Sequence, residues 1–304
     1  MAALQVRVNG IHAAWPAFLG SSDPHGEEVR RTDPYRVANT SFSLLQWEGE
    51  TLVRHTLIDI GLGVMQSLLE FEAQRGVHVV HEVLITHPHF DHFAGLDWLA
   101  HSIALNEQAG QPRPLPIYAT LQGWYIGPGR VFPYLTDKGR VEHVGVKPGE
   151  PFNLGGLRIT PAAVQHSSSA PGAVAYVAEW LDTDGDGPKK IIVTGDFLNV
   201  ADENDPLWKG ADVCFMESLT WNPNPEAGHQ CVLDGLRRIK KWAPRRTYLV
   251  HYSGFDDLKH QQSAVRSSLT YDELASAVDV AKGDLDVRVA RHGMVLPDDE
   301  PWPT

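Results

Sequence analysis

The densest group of chemically capable side chains is Thr86-His87-Pro88-His89-Phe90-Asp91-His92, in which four candidate metal ligands follow directly on the apolar run Glu82–Thr86. In an extended segment, residues two apart point the same way, so His87 and His89 can reach one divalent ion. Asp91 and His92 then turn towards a second position. A second ion needs further ligands, and three candidates stand after other strand-like runs: His166, Asp196 and His251. Asp196, in Val193-Thr194-Gly195-Asp196, is the natural bridge, because a carboxylate has two oxygens whereas neutral imidazole offers one lone pair. With nitrogen and oxygen ligands and no thiolate, the expected chemistry is hydrolysis, with hydroxide generated near neutral pH between two ions roughly 3.5–4 Å apart. Two divalent cations per chain are expected. Zinc is the first expectation, and manganese or iron suits the same donors.

These ligands must be positioned by elements that can be read from periodicity. Short β-branched runs, Thr56–Ile60, Glu82–Thr86, Leu157–Val164, Ala173–Trp180, Lys190–Thr194, Ala211–Met216 and Thr247–Val250, alternate with amphipathic stretches. The stretches are 64–74, one with Leu96, Leu99 and Ile103 on its apolar face, and one from about Gln230 to Trp242. The class is mixed α/β. In the last stretch Val232, Leu233, Leu236 and Ile239 are expected to face inward, and Arg237, Arg238, Lys240 and Lys241 to form a solvated face favoured by the helix dipole. Residues 111–135 are rich in Pro, Gly and aromatics and read as a long ordered loop, either a lid or substrate wall or a segment packed on the core. Asp182–Gly187 resembles the start of a calcium loop, but Val193 stands at its twelfth position where glutamate is needed, so a turn between strands is expected.

Composition bounds the partners. The 304 residues carry 26 Lys and Arg against 38 Asp and Glu, a net charge of −12, which does not suit bulk nucleic-acid binding. Two cysteines, Cys214 and Cys231, exclude a disulfide framework and a Cys-rich zinc module. The start of the chain has no signal-like apolar region, and no stretch approaches the roughly 18 apolar residues of a membrane helix. A single domain over 1–304, cytoplasmic and without membrane association, is the expectation.

The run 87–92, the upstream Leu57-Ile58-Asp59-Ile60-Gly61 and the later His166, Asp196 and His251 together resemble the metallo-β-lactamase fold. The resemblance implies an αββα sandwich of two mixed β-sheets between helices. It implies His87, His89 and His166 on one metal, Asp91, His92 and His251 on the other, Asp196 bridging, and Asp59 behind the ligands, orienting their loop. Further segments are similar to the phosphoribosyl cyclic-phosphate phosphodiesterase group, a relative of ribonuclease Z: Asp33-Pro34-Tyr35-Arg36, 95–99, Gly228-His229-Gln230, 244–251 and Ala290-Arg291-His292-Gly293-Met294. The group's N-terminal Cys-rich metal site has no counterpart here, and His292 stands where the group commonly has Asp. The implied activity is hydrolysis of a small phosphodiester, cyclic ones included, with Asp91 and His229 as catalytic residues and His229 as general acid. A helix N-terminus and nearby cations are expected to disfavour imidazolium at His229. Homodimerisation is an expectation from the resemblance alone. A lactonase or other carboxyl-ester hydrolase and a mononuclear iron oxidoreductase are the alternatives, since the fold hosts both.

Overall fold

The structure, a computed structural model, describes residues 2–14, 38–105, 111, 113–180, 190–223, 228–252 and 270–303. Its first sheet joins β1 (Ala2–Gly10), β2 (Ser41–Glu48), β3 (Thr51–Ile58), β4 (Glu82–Leu84), β5 (Leu115–Thr120) and β6 (Val141–Val146) in sequence order. The second is built from β7 (Phe152–Leu154), β8 (Leu157–Gln165), β9 (Val174–Trp180), β10 (Lys190–Val193), β11 (Asn199–Val200), β12 (Val213–Glu217), β13 (Arg246–Val250) and β14 (Val287–Val289). Its order is β11-β8-β9-β10-β12-β13-β14, with β7 against β8. The last strand, β15 (Val295–Leu296), returns to the first sheet and pairs antiparallel with β1. Both sheets are mixed. Thus β1, β2 and β3 are antiparallel while β3 to β6 are parallel, and β8, β9 and β10 are antiparallel while β10, β12, β13 and β14 are parallel.

Period-two alternation decides which side chains meet. Val213 and Phe215 of β12 join Leu44, Ile58, Leu84 and Tyr176 in the core between the sheets. Their neighbours Cys214 and Met216 face the other way, under α6 (Val232–Trp242) and α7 (Tyr271–Ala281). Leu57 and Val83 face α1 (Val64–Arg75) and α2 (Leu96–Leu105) on the far side of the first sheet. The layers are therefore helix, sheet, sheet, helix, as expected. Among the described residues, no helix is long and apolar enough to cross a membrane.

Three readings are corrected. Residues 115–120 of the segment read as a long loop form β5, and 121–137 fold as three short helices, α3 (Leu121–Ile126), α4 (Pro128–Val131) and α5 (Pro133–Asp137). Pro128 and Pro133 sit at first helical positions, where the missing N–H costs nothing, so the composition marks helix starts rather than a loop. On α6, Val232, Leu236 and Ile239 are buried, each such burial contributing about 1.5–3 kcal/mol, but Leu233 is exposed. Arg238 leaves the solvated face: it is buried, donates to Leu198 O and Asn199 Oδ1, pairs with Glu203 and lies over the Phe197 ring. The opening strands β1 and β2 also escaped the periodicity reading. Asp33–Arg36 and Asp182–Gly187 lie outside the described residues.

Candidate metal centre

Topology brings the candidate ligands to one edge. Because β8 opposes β9 and β9 opposes β10, β8 runs the same way as β10, β12 and β13. The C-terminal ends of these four strands release His166, Asp196, Glu217 and His251 at the same edge. From the first sheet, the parallel pair β3 and β4 releases Asp59 and the segment 86–92. The tie is direct: Asp59 N donates to Leu84 O and Ile60 N to His92 O.

Three overlapping donor groups result, one of them Asp196, Glu217, His229 and His251, and the other two match the expected sites. His87, His89, His166 and Asp196 form one, and Asp91, His92, Asp196 and His251 the other, with the ligand atoms of each set within 4.8 Å of one another. Asp196 belongs to both. Its Oδ2 lies 3.5 Å from His87 Nε2, 3.4 Å from His92 Nε2, 3.3 Å from His251 Nε2 and 4.0 Å from His166 Nε2. Asp91 Oδ2 lies 3.3 Å from His92 Nε2 and 3.4 Å from His251 Nε2. The atoms His87 Nε2 and His92 Nε2 are buried and make no hydrogen bond. Such orphaned buried acceptors are costly unless something binds them, so the donor set fits a divalent cation.

Outer contacts aim these rings. His92 Nδ1 donates to Asp59 Oδ2 at 2.7 Å, which turns its Nε2 towards the site. Thr86 holds the same carboxylate through N–H to Oδ1 at 2.8 Å and Oγ1–H to Oδ2 at 2.7 Å. His166 Nδ1 donates to Gly228 O at 2.7 Å, and His89 Nε2 meets Ser169 Oγ at 2.8 Å. Burial, reinforced by neighbouring imidazoles, holds His87 well below its ordinary pKa, and burial takes His166 down to about 4 against the pull of Asp196. Both rings are therefore neutral near pH 7, as ligation requires.

A family model described as a beta-lactamase superfamily domain matches residues 54–252, a span that contains every residue of both donor sets. The chain belongs to the beta-lactamase superfamily. Solved structures of the same fold include a diphosphatase from the PhnP family (19% identity, 97% of this chain and 98% of that one, TM-score 0.72) and zinc-bound PqqB from Methylobacterium extorquens (18%, 96% and 99%, TM-score 0.68). Human tRNase Z, short form, is similar too (19%, 96% and 98%, TM-score 0.61). No curated protein matches the chain by sequence.

On this superfamily scaffold the residue that sequence reasoning missed is Glu217, the last residue of β12 and fully buried. Its Oε1 accepts from Phe197 N at 2.9 Å and from Gln230 N, and its Oε2 accepts from His229 Nδ1 at 2.9 Å. The signal was available, since Glu217 ends a strand as do the residues before His166 and His251. Glu217 also gives His229 a carboxylate partner that its place in the sequence does not show. The ring precedes the N-cap of α6, Cys231, rather than opening the helix. Burial works against its charge, but the Glu217 carboxylate and, more weakly, Asp196 outweigh it and raise its pKa to about 9. His292 lies elsewhere, lining a cavity of about 380 Å³ with Arg7, Glu70 and Gln74.

Proposed function

We propose that this protein is a dinuclear metal-dependent hydrolase of small phosphodiesters. The observation that carries the reading is the pair of four-residue donor sets sharing one carboxylate, Asp196, with His229 alongside. His87, His89 and His166 would hold one cation and Asp91, His92 and His251 the other. When bound, the cations supply Lewis-acid polarisation of the phosphoryl oxygens and lower the pKa of water. The chain's own groups do the rest. Asp91, fixed by His92 and His251, helps orient the attacking group as well as ligating. Its carboxyl stays ionised because the neighbouring histidines outweigh burial. His229, whose Nδ1 is held by Glu217 at 2.9 Å and lies 3.7 Å from Asp196 Oδ2, would supply the proton to a departing alkoxide. Glu217 commits Nδ1 of that ring, which leaves Nε2 for proton transfer. The diphosphatase and tRNase among the structural neighbours support phosphorus chemistry as the class.

The test is elemental analysis of protein purified without added metal, paired with hydrolysis of bis(p-nitrophenyl) phosphate and of a simple lactone by the same sample. Two zinc or manganese ions per chain with clear diester turnover are expected. One iron per chain, or lactone turnover far above diester turnover, overturns the reading.

A further inference from the structure

Behind Asp59, a buried chain of hydrogen bonds runs back through the first sheet. On β1 and β2, Val6, Val8, Phe42 and Leu44 face the core between the sheets. Their neighbours Arg7, Asn9, Ser41 and Ser43 therefore face the other way, and all four are buried. The strand β1 bulges here: Val8 pairs with Phe42 and Gly10 with Ser41, so Asn9 falls between the two pairs and its side chain is re-aimed. Arg7 Nη1 donates to Asn9 Oδ1 at 2.6 Å, Asn9 Nδ2 to Ser41 Oγ at 3.2 Å, and Ser41 Oγ to Asp59 O at 2.8 Å. Arg7 is itself anchored on α1, donating to Ser67 Oγ at 2.9 Å and Ser67 O at 3.1 Å. A guanidinium has donors and no acceptor, so it draws Oδ1 of the Asn9 amide to itself and turns Nδ2 to Ser41. Ser41 Oγ receives that N–H, and its own proton goes to Asp59. Every bond of the chain thus points towards Asp59.

Asp59 needs such a partner. The pairing of β2 with β3 ends at Phe42 and Ile58, one residue short of it. Its φ of 58° is left-handed, which a residue other than glycine holds only where its surroundings over-determine it. Leu84 O takes its N–H and Ser41 takes its C=O, and from that fixed backbone the carboxylate reaches His92 Nδ1 and Thr86. We infer that Arg7, Asn9 and Ser41 are positioning residues for the Asp59–His92 pair, and so set the affinity of the cation that Asp91, His92 and His251 would hold. This role rests on His92 being a ligand, as in the dinuclear reading above.

Asn9→Asp tests the direction of the chain at nearly constant shape. The new carboxylate still accepts from Arg7, now as an ion pair, but its second oxygen can only accept, so it draws the Ser41 proton away from Asp59 O. Ser41→Ala removes the last bond outright. Ser43→Ala is the control: Ser43 Oγ meets the same Asn9 amide at 3.0 and 3.2 Å and His55 Nε2 at 2.8 Å, and among the described residues it has no hydrogen bond to Asp59. Competition titration of zinc against a chromophoric chelator should show one site weakened about three- to tenfold in Asn9→Asp and Ser41→Ala, the equivalent of one hydrogen bond. Both sites should keep wild-type affinity in Ser43→Ala. Thermal unfolding of the metal-free proteins separates positioning from folding. A chain that only stabilises the sheet makes affinity follow melting temperature across the three variants, Ser43→Ala included, and that result overturns the role. So does wild-type affinity at both sites in Asn9→Asp and Ser41→Ala. If Asn9→Asp does not fold, Ser41→Ala against Ser43→Ala decides by the same criteria. Two zinc ions bound without diester turnover sink the phosphodiesterase reading alone, whereas a wild type that takes up no cation sinks the metal centre and the positioning role with it.

Discussion

Asp59→Asn isolates what the residue behind the ligands contributes to metal binding. Asp59 has φ 58°, a left-handed conformation that Asn tolerates better than other side chains, so the exchange adds little backbone strain. The two oxygens are fully used: Oδ1 accepts from Thr86 N, and Oδ2 accepts from Thr86 Oγ1 and from His92 Nδ1. An amide can keep Oδ1 on Thr86 N, but its NH2 then faces His92 Nδ1. Thr86 Oγ1 can rotate to accept. His92 can accept only by moving its proton to Nε2, the atom that must offer a lone pair to the cation. The opposite amide orientation sets a donor against Thr86 N–H in a buried site, a cost of about 1–3 kcal/mol. Either outcome removes the carboxylate that makes the ligand more basic. The expected loss is about 10- to 100-fold in affinity for one cation, which is about 1.4–2.7 kcal/mol. Competition titration against a chromophoric chelator measures it, with thermal unfolding of the metal-free proteins as the control for folding. One weakened site and one unchanged site, at similar metal-free stability, is the expected pattern. Unchanged affinity at both sites would refute the role of Asp59, as would a loss wholly accounted for by unfolding.

Asp196→Ala removes the only carboxylate shared by both donor sets, so metal content should fall for both ions, and diester turnover should drop by on the order of a thousandfold or more; retention of two ions per chain contradicts the bridging assignment. His229→Ala should keep the metals and lower kcat by about 10²–10⁴, most for poor leaving groups, and undiminished turnover of an unactivated diester removes the acid assignment. Gly61→Ala places a Cβ 1.7 Å from Asp91 O and 2.6 Å from Asn39 Cβ, so the ligand loop must shift; lower melting temperature together with weaker metal binding is expected, and a variant with wild-type values for both would show that the loop yields freely. For acid stability, burial lowers the His55 pKa from 6.5 to about 4, the ring being held neutral between Val79 O and Ser43 Oγ. The unfolded chain then binds a proton that the folded chain refuses, so His55 costs no stability above pH 6.5 and about 3 kcal/mol by pH 4. Urea unfolding of metal-free wild type and His55→Gln between pH 7 and 4 should show the wild type losing that much more; parallel curves would contradict it.

What was legible in the sequence was whatever leaves a local mark. The ligand motif 87–92 did, because four donors after a strand are improbable by chance. His166, Asp196 and His251 did, because each follows a β-branched run, and the sheets bring those strand ends together by running β8, β10 and β13 the same way. The helices 121–137 did not, because Pro at a helix start and Pro in a loop look alike until a cap such as Thr120, accepting from Gly123 N, is seen. Arg238 did not either: its place on α6 fits a solvated stripe, and only the packing of β11 and Phe197 against that helix turns it inward. Glu217 is the instructive omission. A carboxylate at the end of Val213-Cys214-Phe215-Met216 obeys the rule that identified the other ligands, yet it was passed over because its partners are backbone amides and one histidine, His229, 12 residues on. That pairing sets a charge-favouring carboxylate against the helix and the cations at His229. Helix and cations alone argue for a neutral ring, whereas a buried carboxylate 2.9 Å away argues for a charged one. The position of one strand end therefore sets a buried carboxylate behind the ring proposed as the general acid.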